Sequence, residues 1–208
     1  MLKKYFLGLI IILTVSHADK DAWFMELGWQ ISLQYTSESY NTFDDLGRNG
    51  VHIDGEGTED MMYFQVGKAL NIKNSSIVLE PSIGTTFALL EQTYFSNALF
   101  IELPVLYKMK VFNTKVKLGP KIKYLYHYNH YYVDSEYDEA KKAEYDTHSA
   151  WAVGFKAVWG VEDWKLVTGL EYLGSAKYSA NTQYKDGYAN SEVDMNGVYF
   201  SIGLRHNF

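Results

Sequence analysis

Ten ionisable residues recur on one face of an alternating pattern: Glu26, Glu80, Glu102, Lys108, Lys117, Lys121, Lys123, Lys156, Glu171 and Arg205. Six are basic and four acidic, so the set can pair internally. Buried without partners, such charges would cost several kcal/mol each. The alternative chemistry for a ring of charges is a polar pore. A second group lies around one link in the chain, where His127, His130 and His148 fall close to Ser149 and several carboxylates. A hydroxyl nucleophile needs a base within hydrogen-bond reach, itself oriented by a third group. His148 and Ser149 are adjacent, and adjacent residues on a strand point to opposite faces. No catalytic residue is assigned on that spacing.

A third group is acidic. Segment 38–59 has Glu38, Asp44, Asp45, Asp54, Glu56 and Glu59 against Arg48, and segment 130–148 has Asp134, Glu136, Asp138, Glu139, Glu144 and Asp146 against Lys141 and Lys142. Hard cations favour carboxylate oxygens, yet the EF-hand spacing is missing. Solvated acidic loops are the simpler reading, and no metal or cofactor is expected. Tyr131, Tyr132, Tyr137 and Tyr145 would suit contact with a surface ligand, since Tyr anchors interfaces well.

Composition narrows the class. The 208 residues include 18 Tyr, 11 Phe and 5 Trp but only 3 Pro and no Cys. Without Cys there is no disulfide frame, thiolate nucleophile or Cys-ligated zinc. A net charge of −6 argues against nucleic acid as a partner, because that needs a basic footprint. The start of the chain reads as a secretory signal peptide over residues 1–18: Lys3 and Lys4, an apolar run from Tyr5 to Val15, then Ser16-His17-Ala18 as the cleavage site. That run is well short of the ~20 residues a membrane helix requires. Residues 19–208 are then one domain, and losing Lys3 and Lys4 makes it more acidic still.

Eight segments in that domain alternate between apolar and polar positions, the period of a strand with two unlike faces. The first runs Trp23, Met25, Leu27, Trp29, Ile31, Leu33, Tyr35 on its apolar face. Others cover 60–70, 77–89, 98–111, 115–129, 149–161 and 164–177, and the last runs Val198, Phe200, Ile202, Leu204, His206, Phe208. Links alternate between short (71–76, 112–114, 162–163) and long (38–59, 130–148, 178–194, with a shorter one at 90–97). Outer-membrane barrels show that rhythm, with short periplasmic turns and long external loops. A soluble eight-stranded barrel would turn its apolar residues inward around a ligand. Here the ions share one face while the other is nearly uncharged, Lys68 and Thr168 being the departures on it, and Trp and Tyr mark the ends of the apolar face. Trp151 and Trp159, like Trp164 and Tyr172, are eight residues apart, about 20 Å on a tilted strand and close to the height of a lipid-facing band. Trp23, Tyr35, Tyr107, Tyr126, Trp151, Trp159, Trp164 and Tyr172 are read as aromatic girdles. The expected fold is an all-β, eight-stranded antiparallel up-and-down transmembrane barrel.

The stretch Ile101-Glu102-Leu103-Pro104-Val105-Leu106-Tyr107-Lys108, the Leu118-Gly119-Pro120 of the next segment and the terminal Phe208 resemble small outer-membrane β-barrel proteins of the OmpA/OmpX and opacity-protein type. The resemblance covers the whole domain through short motifs of architecture. It implies residence in the bacterial outer membrane, surrounded by lipid and lipopolysaccharide, and delivery by the barrel-assembly machinery with Phe208 as assembly signal. His206 departs from the aromatic or apolar residue usual two positions before that Phe. The functional expectation is a non-enzymatic barrel with a plugged, charged lumen and a structural, adhesive or surface-binding role. A lipid A-modifying enzyme at the outer rim and a narrow channel for small or apolar solutes are the alternatives.

Overall fold

A computed structural model describes residues 22–33, 36–43, 49–57, 60–88, 94–133, 142–144, 148–160, 163–179 and 188–208. The signal-peptide segment and Tyr35 lie outside them. Fourteen strands are formed among the described residues: β1 (Ala22–Ser32), β2 (Thr36–Phe43), β3 (Asn49–Gly57), β4 (Asp60–Asn71), β5 (Ile77–Leu79), β6 (Ser82–Ala88), β7 (Tyr94–Val111), β8 (Thr114–Val133), β9 (Lys142–Glu144), β10 (His148–Trp159), β11 (Trp164–Gly174), β12 (Lys177–Ser179), β13 (Tyr188–Asp194) and β14 (Gly197–Asn207). All described pairings are antiparallel, and they close a ring of eight staves: β1, β4, β5 with β6, β7, β8, β10, β11, β14 and back to β1. Closure leaves no unpaired edge within the ring, which a lipid environment demands of any sheet.

The third stave was expected as one strand over 77–89. It is two, because Pro81 has no N–H to give its neighbour. The register passes through the gap unchanged, from Leu70 opposite Leu79 to Gly67 opposite Ser82, and the peptide N–H of Lys68 donates to the Pro81 carbonyl (3.1 Å). The long links also hold more strand than expected. β2, β3, β12 and β13 form a four-stranded sheet beyond the ring, and β7 and β8 run on to pair Tyr94 with Tyr132. The short links at Phe112-Asn113 and around Gly160 lie at the opposite end. Phe112 and Asn113 both have positive φ (46° and 66°), the two-residue hairpin geometry whose twist matches the strands.

Parity sorts the side chains. Trp23, Met25, Leu27, Trp29 and Ile31 of β1 are exposed, as are Leu166, Leu170 and Tyr172 of β11 and Phe200, Ile202 and Leu204 of β14. Exposure reaches 60% at Ile83, near the start of β6, and at Phe155 in the middle of β10. A continuous apolar belt of this size is not a water-facing surface. The two polar intruders are accommodated locally. Lys68 has its ammonium 5.9 Å from the Trp23 ring centroid, and the Thr168 hydroxyl accepts a hydrogen bond from the Trp159 indole (3.2 Å).

Several inward-facing glycines make room for aromatic rings. A Cβ added at Gly28 would lie 2.5 Å from the Tyr63 Cζ and hydroxyl, and one at Gly203 would lie 2.5 Å from the same hydroxyl. Gly67 and Gly84 are covered in the same way by Phe24 and Phe100. Gly203→Ala should therefore displace Tyr63 and lower stability by about 1–3 kcal/mol, the usual cost of overpacking. Urea unfolding in lipid vesicles measures it.

Candidate functional site

The lumen of an eight-stranded barrel is only wide enough for side chains to fill. Here a chain of alternating charges runs through it. From the periplasmic end, Lys117 meets Glu80 (2.5 Å), and Glu80 meets Arg205 (2.6 Å). Arg205 grips Glu26 with Nε and Nη2 on one oxygen (3.1 and 2.8 Å). Lys156 bridges Glu26 (3.2 Å) to Glu102 (2.7 Å), Lys121 bridges Glu102 (3.0 Å) to Glu171, and Lys123 ends the chain on Glu171 (2.6 Å). Each acid touches at least two bases, the arrangement that makes desolvated charge tolerable. Alternate positions on seven staves supply these nine residues: β1, the β5–β6 junction, β7, β8, β10, β11 and β14.

Of the ten sequence-selected ionisable residues, nine meet in this chain. Lys108 does not. Its parity is inward, but it is exposed, at a periplasmic mouth below the packed lumen. Strand tilt sets depth, and depth is not readable from alternation. Neutral partners complete the network and were not singled out: the Tyr63 hydroxyl donates to Glu26 (2.9 Å), the Gln30 amide to Glu171 (2.9 Å), and the Ser82 hydroxyl to Gln65 (2.8 Å). Arg205 also lies 3.9 Å from the Phe24 ring centroid. Gln30 sits in the polar set of its segment, the one signal that could have flagged it.

Little room is left. The space enclosed by Glu26, Gln30, Tyr63, Gln65, Glu102 and the neighbouring lysines is about 10 Å³, enough for one water at most. Above it, towards the external end, Met61, Phe100, Leu125, Ala150, Ala152, Leu173, Met195 and Tyr199 form an apolar layer. That layer corrects the picture of a lumen filled by charge alone. Apart from Met195, which lies between β13 and β14, its residues occupy the polar face of their strands, where alternation labels them exceptions.

The aromatic residues fall at two heights. Trp23, Tyr107, Trp159 and Trp164 lie near the short turns, and Tyr126, Trp151 and Tyr172 near the other end, all exposed. His206 is held in an aromatic cluster, 4.8 Å from Trp164 and 6.1 Å from Phe208 between ring centroids. The Phe208 N–H donates to the Trp23 carbonyl (3.0 Å), tying the end of β14 to the start of β1.

At the external rim His148 stands opposite His127 across β10 and β8, while Ser149 stands opposite Tyr126. His127 is buried and inward, and Ser149 is on the other face. His127 and His148 thus stand together while Ser149 is set on the other face, and among the described residues no cluster of three or more His, Asp or Glu is placed to hold a metal ion.

A closed eight-stave barrel, apolar outside and ion-paired inside, defines a transmembrane β-barrel of the bacterial outer-membrane class. The chain is similar in fold to the outer membrane protein OprG of Pseudomonas aeruginosa, at 13% identity and a TM-score of 0.52 over 93% of this chain and 98% of that one. It also matches a major outer membrane protein of Thermus thermophilus (12% identity, TM-score 0.49, 91% and 100% covered) and Neisserial surface protein A (10%, 0.44, 91% and 100%). No family model and no curated protein matches the sequence.

Proposed function

We propose that this chain is a non-enzymatic outer-membrane protein with a closed lumen, whose outward strands and acidic, Tyr-rich segments bind a partner at the cell surface. The observation that carries the reading is the filled mid-lumen, with about 10 Å³ of space among its charged residues. A lumen packed with side chains cannot pass solute, but it makes a rigid pedestal. The material beyond the ring extends that pedestal, since β2, β3, β12 and β13 continue the wall outward. Outer-membrane lipid and lipopolysaccharide would surround the belt, and Phe208 would be read by the barrel-assembly machinery.

Planar-bilayer recording of the purified protein tests the closed lumen. No discrete openings are expected, and regular unitary steps would replace the pedestal with a channel. Mass spectrometry of lipid A with and without expression addresses the enzymatic alternative. Unchanged acyl chains are expected, and their loss or transfer would overturn the non-enzymatic reading.

A further inference from the structure

The periplasmic mouth differs in chemistry from the rest of the molecule. A cavity of about 540 Å³ opens there, lined by Lys108, Lys110, Lys115, Lys117 and Lys165 with Met109, Val116, Val158 and Gly160. No acidic residue lines it among the described residues. All five lysines have inward parity, two each on β7 and β8 and one on β11. The register sets Lys108 opposite Lys117 and Lys110 opposite Lys115. Like charges directly opposed across strands are destabilising, and here two such pairs follow one another. Lys117 is the member of the five that joins the ion-pair chain, through Glu80. The alternating chain holds five bases against four acids, and Glu80, the acid on Lys117, is shared with Arg205. The segments 38–59 and 130–148 are, by contrast, acidic in sequence.

We infer that this mouth is a binding site for a compact, multiply charged anion bearing phosphate groups, reached from the periplasm. A volume near 540 Å³ is in the range of small-molecule sites, roughly 300–1,000 Å³. Lysine ammoniums are compact point charges with rotatable donors, suited to several phosphate oxygens in variable orientation. Met109, Val116 and Val158 supply the apolar part of the lining. The bound anion would relieve the repulsion between the opposed lysine pairs. A free polyphosphate and a phospholipid headgroup share this chemistry.

The test uses the full mature chain folded in zwitterionic detergent. Tripolyphosphate is titrated by calorimetry, with tricarballylate as the carboxylate comparison. Dihexanoyl phosphatidic acid, below its micelle concentration, is the lipid arm. Saturable binding of one tripolyphosphate per barrel is expected, weakening steeply with salt. The double variant Lys110→Gln, Lys115→Gln should lose affinity by about tenfold or more, at roughly 1.4 kcal/mol per decade. Tighter binding of the short phosphatidic acid than of tripolyphosphate would assign the headgroup as the source, and the reverse order the free anion. Absence of saturable binding in both arms, equal binding of tricarballylate, or an unaffected double variant would each overturn the assignment. Lys110→Glu gives a second readout, because it places an opposite charge beside Lys115. Its melting temperature should rise without ligand, and the tripolyphosphate-induced increase seen in the parent should vanish. An undiminished increase would also overturn the site.

Discussion

Arg205→Met is expected to lower unfolding free energy by about 3–5 kcal/mol, the cost of leaving buried charge without its partner. Arg205 is wholly buried and, among the described residues, is the one that joins Glu80 to Glu26. After its removal Glu80 retains Lys117 and Glu26 retains Lys156 and Tyr63, but two carboxylates lose their closest guanidinium contacts in a space that admits almost no water. Arg205→Lys should recover only part of the loss, since an ammonium cannot serve both acids with a planar fork. Adding Glu80→Gln and Glu26→Gln to Arg205→Met should restore much of the stability, because the uncompensated charge is then gone. Urea unfolding in lipid vesicles, followed by the shift in gel mobility between folded and heated protein, reads all three. A loss below about 1 kcal/mol for Arg205→Met, the range of a solvent-exposed pair, would show that the network is not dry.

Phe155→Arg should cost about 2–4 kcal/mol, the penalty for a cation on the lipid face at the bilayer midplane. Phe155 lies four residues from both Trp151 and Trp159, opposite Leu170, and is 60% exposed. In a water-soluble barrel the same change would relieve an exposed ring and be neutral or stabilising. Phe155→Leu should change stability little in either environment, which controls for ring packing. Trp159→Arg, at the rim, should cost only about 0–1 kcal/mol, so the depth profile reports the membrane and not the side chain. Equal penalties at positions 155 and 159 would remove the argument for a bilayer midplane there.

The faces of the strands were legible because side-chain parity is a local property. A strand that alternates Leu166, Leu170 and Tyr172 with Gly169 and Glu171 assigns its own two sides before any partner is known. The same parity identified Arg205, Glu26 and Lys156 as inward. It could not say that Arg205 meets Glu26, 179 residues away, or Glu80, 125 away, because contact depends on register and stagger between distant strands. Lys108 shows the limit: its side was right and its depth was not. Pro81 was visible in the sequence, yet its break in the third stave follows from the hydrogen bonds that flanking strands ask of that position. The rings of Tyr63, Phe24 and Phe100 over glycines were hidden for the same reason, since a glycine's neighbour across the sheet is set by register.

By itself, then, the sequence determined that this protein is a barrel of alternating strands with an apolar outside, an ionised inside and aromatic margins. Those are statements about period and residue type, which need no third dimension. Tertiary structure decided which charges pair, that the mid-lumen is filled, that an apolar layer covers it, and that five lysines line one mouth. Strand tilt and ring closure set those heights and distances, and both arise only when all eight staves are joined.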